Sequence, residues 1–171
     1  MKFTAKLFNV AGIPASDSSI IDRSVAESYF NSAEFKEALK ARKLFGTLTH
    51  LARNLNSAKN GGPAVSKTIG KDDLLLLVGE NSPTHVLTDV WFGNDGWVYG
   101  SFETLAEDGL DDEAIQRIRR VCGLLKNGCK IGISCVILGY WENSGSSDYL
   151  KKFVSLKGAD LKQLRLKHNC L

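Results

Sequence analysis

The sequence predicts an α+β fold: a mainly antiparallel, barrel-like sheet with about three flanking helices. Three observations predict it. Strand-like runs lie before and after the helical segments, without the regular β–α alternation of a parallel sheet. Two β-rich runs, Thr84 to Phe92 and Trp97 to Thr104, flank Gly93-Asn94-Asp95-Gly96, a strong hairpin signal. One long amphipathic helix opens at Asp111-Asp112 and stops at Asn127-Gly128.

The elements follow in order. Phe3 to Val10 alternates loosely and reads as a strand, and Gly12 to Ser19, rich in Gly, Pro and Ser, as a loop. Asp22 is placed to cap a helix carrying Val25 and Tyr29. Ser32 caps a second, in which Phe35, Leu39 and the stem of Lys43 share a face. Leu44 to Leu48 reads as a short strand. Residues 52–71, with Asn54, Asn56, Asn60, Gly61, Gly62 and Pro63, read as a mobile loop of functional length. After the hairpin, Ala114, Ile118, Cys122 and Leu125 mark one face of the long helix. Lys130 to Leu138 reads as a strand relieved by small residues at Gly132 and Ser134, and Tyr149 to Leu156 as another. Residues 1–171 read as a single domain, with no internal repeat.

Composition excludes several classes. The chain has 171 residues, 43% hydrophobic and 24% charged, which fits a core-forming globular protein and not a disordered or fibrous one. The longest apolar run, Leu74 to Val78, is strand-sized and far short of a membrane span. A net charge of +3, without a basic stripe interleaved with aromatics, argues against a nucleic-acid partner. The locally basic segment from Lys151 to Lys167 reads as solvated surface or a partner-facing tail. Cys122, Cys129, Cys135 and Cys170 form no CxxC pair, so a zinc ribbon is not expected and reduced cytoplasmic thiols are. The start of the chain is too polar for a signal peptide.

Three histidines are available: His50 at a strand exit, His85 at the start of the hairpin, and His168 near the end. Ser134 lies among apolar residues, with Gly132 and Gly139 allowing close backbone approach. It is not a Gly-x-Ser-x-Gly elbow, because position 136 is Val. Cys135 would face the opposite side of a regular strand and ranks below Ser134 as a nucleophile. Asp89 and Asp160 could each orient a histidine, and spacing does not choose between them.

Three blocks in order carry a resemblance: Leu44-Phe45-Gly46-Thr47-Leu48-Thr49-His50, Thr88 to Gly100 ending in Tyr99-Gly100, and Gly128 to Gly139 with Gly132-Ile133-Ser134. Together they resemble the prohead core proteases of tailed bacteriophages, capsid-maturation serine peptidases related in fold to the herpesvirus assemblins. The resemblance covers most of the chain. It implies a herpesvirus-protease-like fold, Ser134 as nucleophile, His50 as general base, and Asp160 as the residue that orients His50. It also implies cleavage of scaffold or core proteins and of the major capsid protein inside the assembling prohead, in the host cytoplasm. Self-cleavage, homo-oligomerisation and independence from any metal or cofactor are implied as well, with no nucleic-acid or membrane partner. His85, an alternative third member, reads as structural.

Two departures stand out. Many members follow the serine with Ser-Arg-Gly, whereas Cys135-Val136-Ile137 stands here, leaving Arg53 or Arg165 as substitute cations. The Pro-Ser stretch often found after the aspartate is replaced by Leu161-Lys162-Gln163-Leu164-Arg165. The alternative reading is an inactive core or scaffolding protein of the same fold.

Overall fold

The structure is a computed structural model that describes residues 1–15, 18–47, 64–65, 69–70, 83–129 and 131–163. The described elements are β1 (Lys2–Asn9), β2 (Ser19–Ile21), α1 (Arg23–Phe30), α2 (Ala33–Lys40), β3 (Phe45–Gly46), β4 (Ala64–Val65), β5 (Ile69–Gly70), β6 (His85–Phe92), β7 (Trp97–Thr104), α3 (Asp112–Lys126), β8 (Ile131–Ser144) and β9 (Ser147–Gln163). They form a four-stranded sheet, β1-β7-β6-β3, and a five-stranded sheet, β2-β9-β8-β4-β5. The fold class is the expected one: α+β, with curled, mostly antiparallel sheets. The pairing of β2 with β9 is parallel; the loop that the sequence predicts over Gly12 to Ser19 overlaps β2 only at Ser19.

Local chemistry accounts for much of this. The β6–β7 hairpin forms around the expected turn, where Gly96 takes φ +78°. Ser32 caps α2 by accepting from the Phe35 N–H, and Asp111 caps α3 by accepting from the Ala114 N–H. Asp22 stands at the N-terminus of α1 with extended backbone, but its side chain makes no capping bond. Helix α3 buries Ala114, Ile118 and Val121. Cys122 and Leu125 of the expected face are only half-buried, so the stripe is rotated by a fraction of a turn.

The largest departure is the β8–β9 hairpin. Expected as two short strands, it spans 14 and 17 residues around a turn in which Gly145 has φ +65°. The three extra residues of β9 are bulges, with Lys151, Val154 and Lys157 each left out of the register. Each bulge increases local twist and bends its strand, which curls this ladder. The bend lets Leu150, Phe153, Leu156 and Ala159 join the main core. There Phe153 stacks on Tyr29 with ring centroids 4.3 Å apart, and Phe8, Phe30 and Phe35 surround them. Tyr29 also accepts the Leu156 N–H at 2.9 Å, beside the bulge at Val154.

The two sheets meet at residues 44–47. Leu87 N–H donates to the Leu44 carbonyl and Thr84 N–H to the Gly46 carbonyl, from the first sheet. From the second, Leu161 N–H donates to the Thr47 carbonyl. The buried His85 completes the junction. Its Nε2 lies 2.7 Å from the Ala159 carbonyl oxygen and its Nδ1 2.8 Å from the Thr84 hydroxyl. A carbonyl only accepts, so Nε2 carries the proton and Nδ1 accepts from Thr84. The ring passes directly over Gly46, where a Cβ would fall inside contact distance of both the Ala159 oxygen and His85 Nε2. The glycine of the first motif block is therefore required by the histidine that opens the β6–β7 hairpin.

Two outcomes follow from this junction. Gly46→Ala should lose about 3 kcal/mol or more, because a methyl group displaces a buried hydrogen bond; the midpoint of urea unfolding reads this directly. Burial, partly opposed by the bond to Ala159, lowers the His85 pKa from 6.5 to about 4. Between those values the unfolded chain binds the extra proton, so this contribution is complete above pH 6.5 and is lost as pH falls toward 4. Lowering the pH from 7 to 5 should thus cost about 2 kcal/mol through this residue. Unfolding curves of His85→Asn at the two pH values should show a fall smaller by that amount.

Candidate active site

Ser134 sits on β8 directly opposite Asp160 on β9. This follows from the length of β9. The strand expected to end at Leu156 continues to Gln163, so Asp160 stands inside the ladder and not beyond it. The backbone of Ala159 and of Leu161 is engaged with residues 47 and 85, on the side of β9 away from β8. By the alternation of an antiparallel ladder, Asp160 and Ser134 are then a hydrogen-bonded pair, with Cα atoms about 5.5 Å apart. Their side chains share one face. The amide of Cys135 points to the edge of β8 away from β9.

Asp160 is a carboxylate at 2% exposure, so it needs hydrogen-bond partners. Thr47 supplies two: its backbone N–H reaches Oδ1 at 2.9 Å and its hydroxyl reaches the same oxygen at 3.1 Å. Ser134 is half-buried.

The other candidates separate from this pair. Cys135 pairs with Ala159 on the opposite face and packs against the main core. Burial, aided by the nearby Asp160 charge, pushes its thiol well above the ordinary range, so it stays a thiol and a poor nucleophile. His85 has both ring nitrogens engaged with Ala159 and Thr84 and its ring against Phe3 and Phe102, which makes it structural. Asp89 is exposed, accepts the Val90 N–H at 2.9 Å, and lines an open groove with Lys2, Thr4, Arg42 and Glu103 on the outer face of the first sheet. That groove contains neither Ser134 nor Asp160.

His50, His168, Arg53 and Arg165 lie outside the described residues, as does nearly all of 52–71; within that stretch β4 pairs with β8 at Leu138 and Gly139. Among the described residues, no three His, Cys, Asp or Glu side chains cluster to hold a metal ion, and no helix is long and apolar enough to cross a membrane. Sequence reading missed Thr47 as the partner of Asp160. The available signal was its position inside the Gly-x-Leu-x-His block.

No protein-family model and no curated protein sequence matches this chain. Among solved structures, it is similar to the bacteriophage T4 capsid assembly protease gp21, at 12% identity and a TM-score of 0.62. The match covers 94% of this chain and 79% of that one. The chain has the fold of a phage capsid assembly protease.

Proposed function

We propose that the protein is a capsid-maturation serine endopeptidase, which cleaves scaffold or core proteins and the major capsid protein inside the prohead. Ser134 is the nucleophile, His50 the general base and Asp160 the carboxylate that orients it. The observation that carries this reading is the cross-strand pairing of Ser134 with the buried Asp160, within the fold of a phage capsid assembly protease.

Chain connectivity supports His50 as the base. Thr47 is hydrogen-bonded to Asp160, and His50 follows it by three residues, a span of at most about 10 Å. A carboxylate and a serine on neighbouring strands leave a position for one imidazole between them. Its one nitrogen would meet Ser134 Oγ, and its other N–H would meet Asp160.

The chemistry follows from these roles. A serine hydroxyl is a weak nucleophile until an imidazole takes its proton. As Oγ bonds to the scissile carbonyl carbon, His50 accepts the proton and Asp160 stabilises the imidazolium. The carbonyl oxygen gains the negative charge, and the outward-pointing Cys135 amide is the backbone donor for it. This assigns to the backbone a task that the family's arginine could share, and a valine stands in that arginine's place. The C–N bond then breaks, the amine leaving with the proton from His50. Water, activated by the same imidazole, releases the ester and restores Ser134.

Co-expression with the scaffold and major capsid proteins of the same virus, followed by intact-mass analysis, tests the reading. The wild-type chain should give discrete products and Ser134→Ala none, a loss of at least about 10⁴-fold in rate; His50→Ala should match it. Identical product patterns from wild type and Ser134→Ala would remove Ser134 as nucleophile and favour the inactive scaffolding protein.

A further inference from the structure

Thr47 does more at the Asp160 carboxylate than fill a valence. It is held from both sheets: its carbonyl accepts the Leu161 N–H, and the preceding Gly46 carbonyl accepts the Thr84 N–H, each at 2.9 Å. Its N–H and hydroxyl both converge on Oδ1 of Asp160, at 2.9 and 3.1 Å. Two donors fixed on one oxygen set the plane of the carboxylate. They also draw charge onto that oxygen, since hydrogen bonds to an ionised acceptor are the strong ones.

We propose that Thr47 is a positioning residue for catalysis. By fixing Oδ1 it turns Oδ2 of Asp160 toward the imidazole that activates Ser134. This rests on the reading of Ser134, His50 and Asp160 given above. It goes beyond that reading in placing a required group outside the three, within the segment that leads to His50. One short piece of chain then has two tasks: residues 46 and 47 join the sheets and hold the carboxylate, and residue 50 supplies the base. A carboxylate free to rotate about χ2 would hold the wrong imidazole orientation for part of the time, and reactivity would fall with no loss of the three residues themselves.

The test uses the full-length protein and a fluorophosphonate, which reports serine nucleophilicity without knowledge of the peptide substrate. Thr47→Val keeps the shape and the N–H and removes the hydroxyl; Thr47→Ser keeps the hydroxyl and removes the methyl group. The labelling rate of Ser134 should fall about tenfold in Thr47→Val and stay within about threefold of wild type in Thr47→Ser. In an Asp160→Asn background, Thr47→Val should have no further effect. Thr47→Ala, which also lacks the hydroxyl, replaces Thr47→Val if that variant does not fold.

Labelling of Thr47→Val at the wild-type rate, or an equal fall in Thr47→Ser, overturns the proposal while leaving Ser134 and His50 in their roles. A wild-type protein whose Ser134 does not label overturns the catalytic reading, and the role of Thr47 with it.

Discussion

The imidazole of His85, reaching over Gly46 to the carbonyl of Ala159, is the contact on which the relation of the two sheets depends. A neutral ring buried this deeply tolerates only one arrangement of donors and acceptors. Thr84 must donate to it and Ala159 must accept from it, so β6 and β9 are held at one spacing. Residues 44–47 thread between them, with backbone bonds to both sides. No side chain fits at position 46. Two sheets that could otherwise slide past one another are thereby locked in register.

That register positions the site. Ala159 and Leu161 turn their backbone groups toward residues 47 and 85, which fixes the orientation of Asp160 between them. It also puts Asp160 opposite Ser134 across the ladder. Burying a carboxylate is costly unless its oxygens are satisfied, and Thr47 satisfies Oδ1 twice over from the same junction. The core on the other side of the ladder serves the same end. Tyr29 and Phe153 stack at the bend of β9 and hold the bulged strand in its curl, while Cys135, facing that core, is kept as an unreactive thiol.

Part of this was legible along the chain. The β6–β7 hairpin, the capped helices at Ser32 and Asp111, and the strand around Ser134 all rest on local signals: turn residues, caps and short-range periodicity. Such signals act within a few residues and are complete in the sequence. Ser134 was legible as a candidate through the order of motif blocks and Asp160 through its place beyond the last of them, and His85 could be read as structural. The path of β9 was not legible. The bulge at Lys157 breaks its alternation of apolar and polar positions, so the pattern fades after Leu156 although the strand runs on to Gln163. The strand character of Ser19 to Ile21 was likewise hidden, because three residues pairing with the distant Asp148 to Leu150 leave no periodic trace.

The sequence by itself determined the class of fold and the residue types that could carry chemistry, because composition, turns and caps act locally. Tertiary structure alone decided which of those residues meet. Asp89 and Asp160 are equivalent as letters, and they separate only when one lies on an outer face and the other sinks into the β8–β9 ladder. Gly46 and Thr47 are ordinary residues until His85 and Asp160, some 40 and 110 positions away, close over them. The physical reason is the same in each case. Burial converts a polar group into a demand for a specific partner, and that partner is supplied by a part of the chain that no local pattern points to.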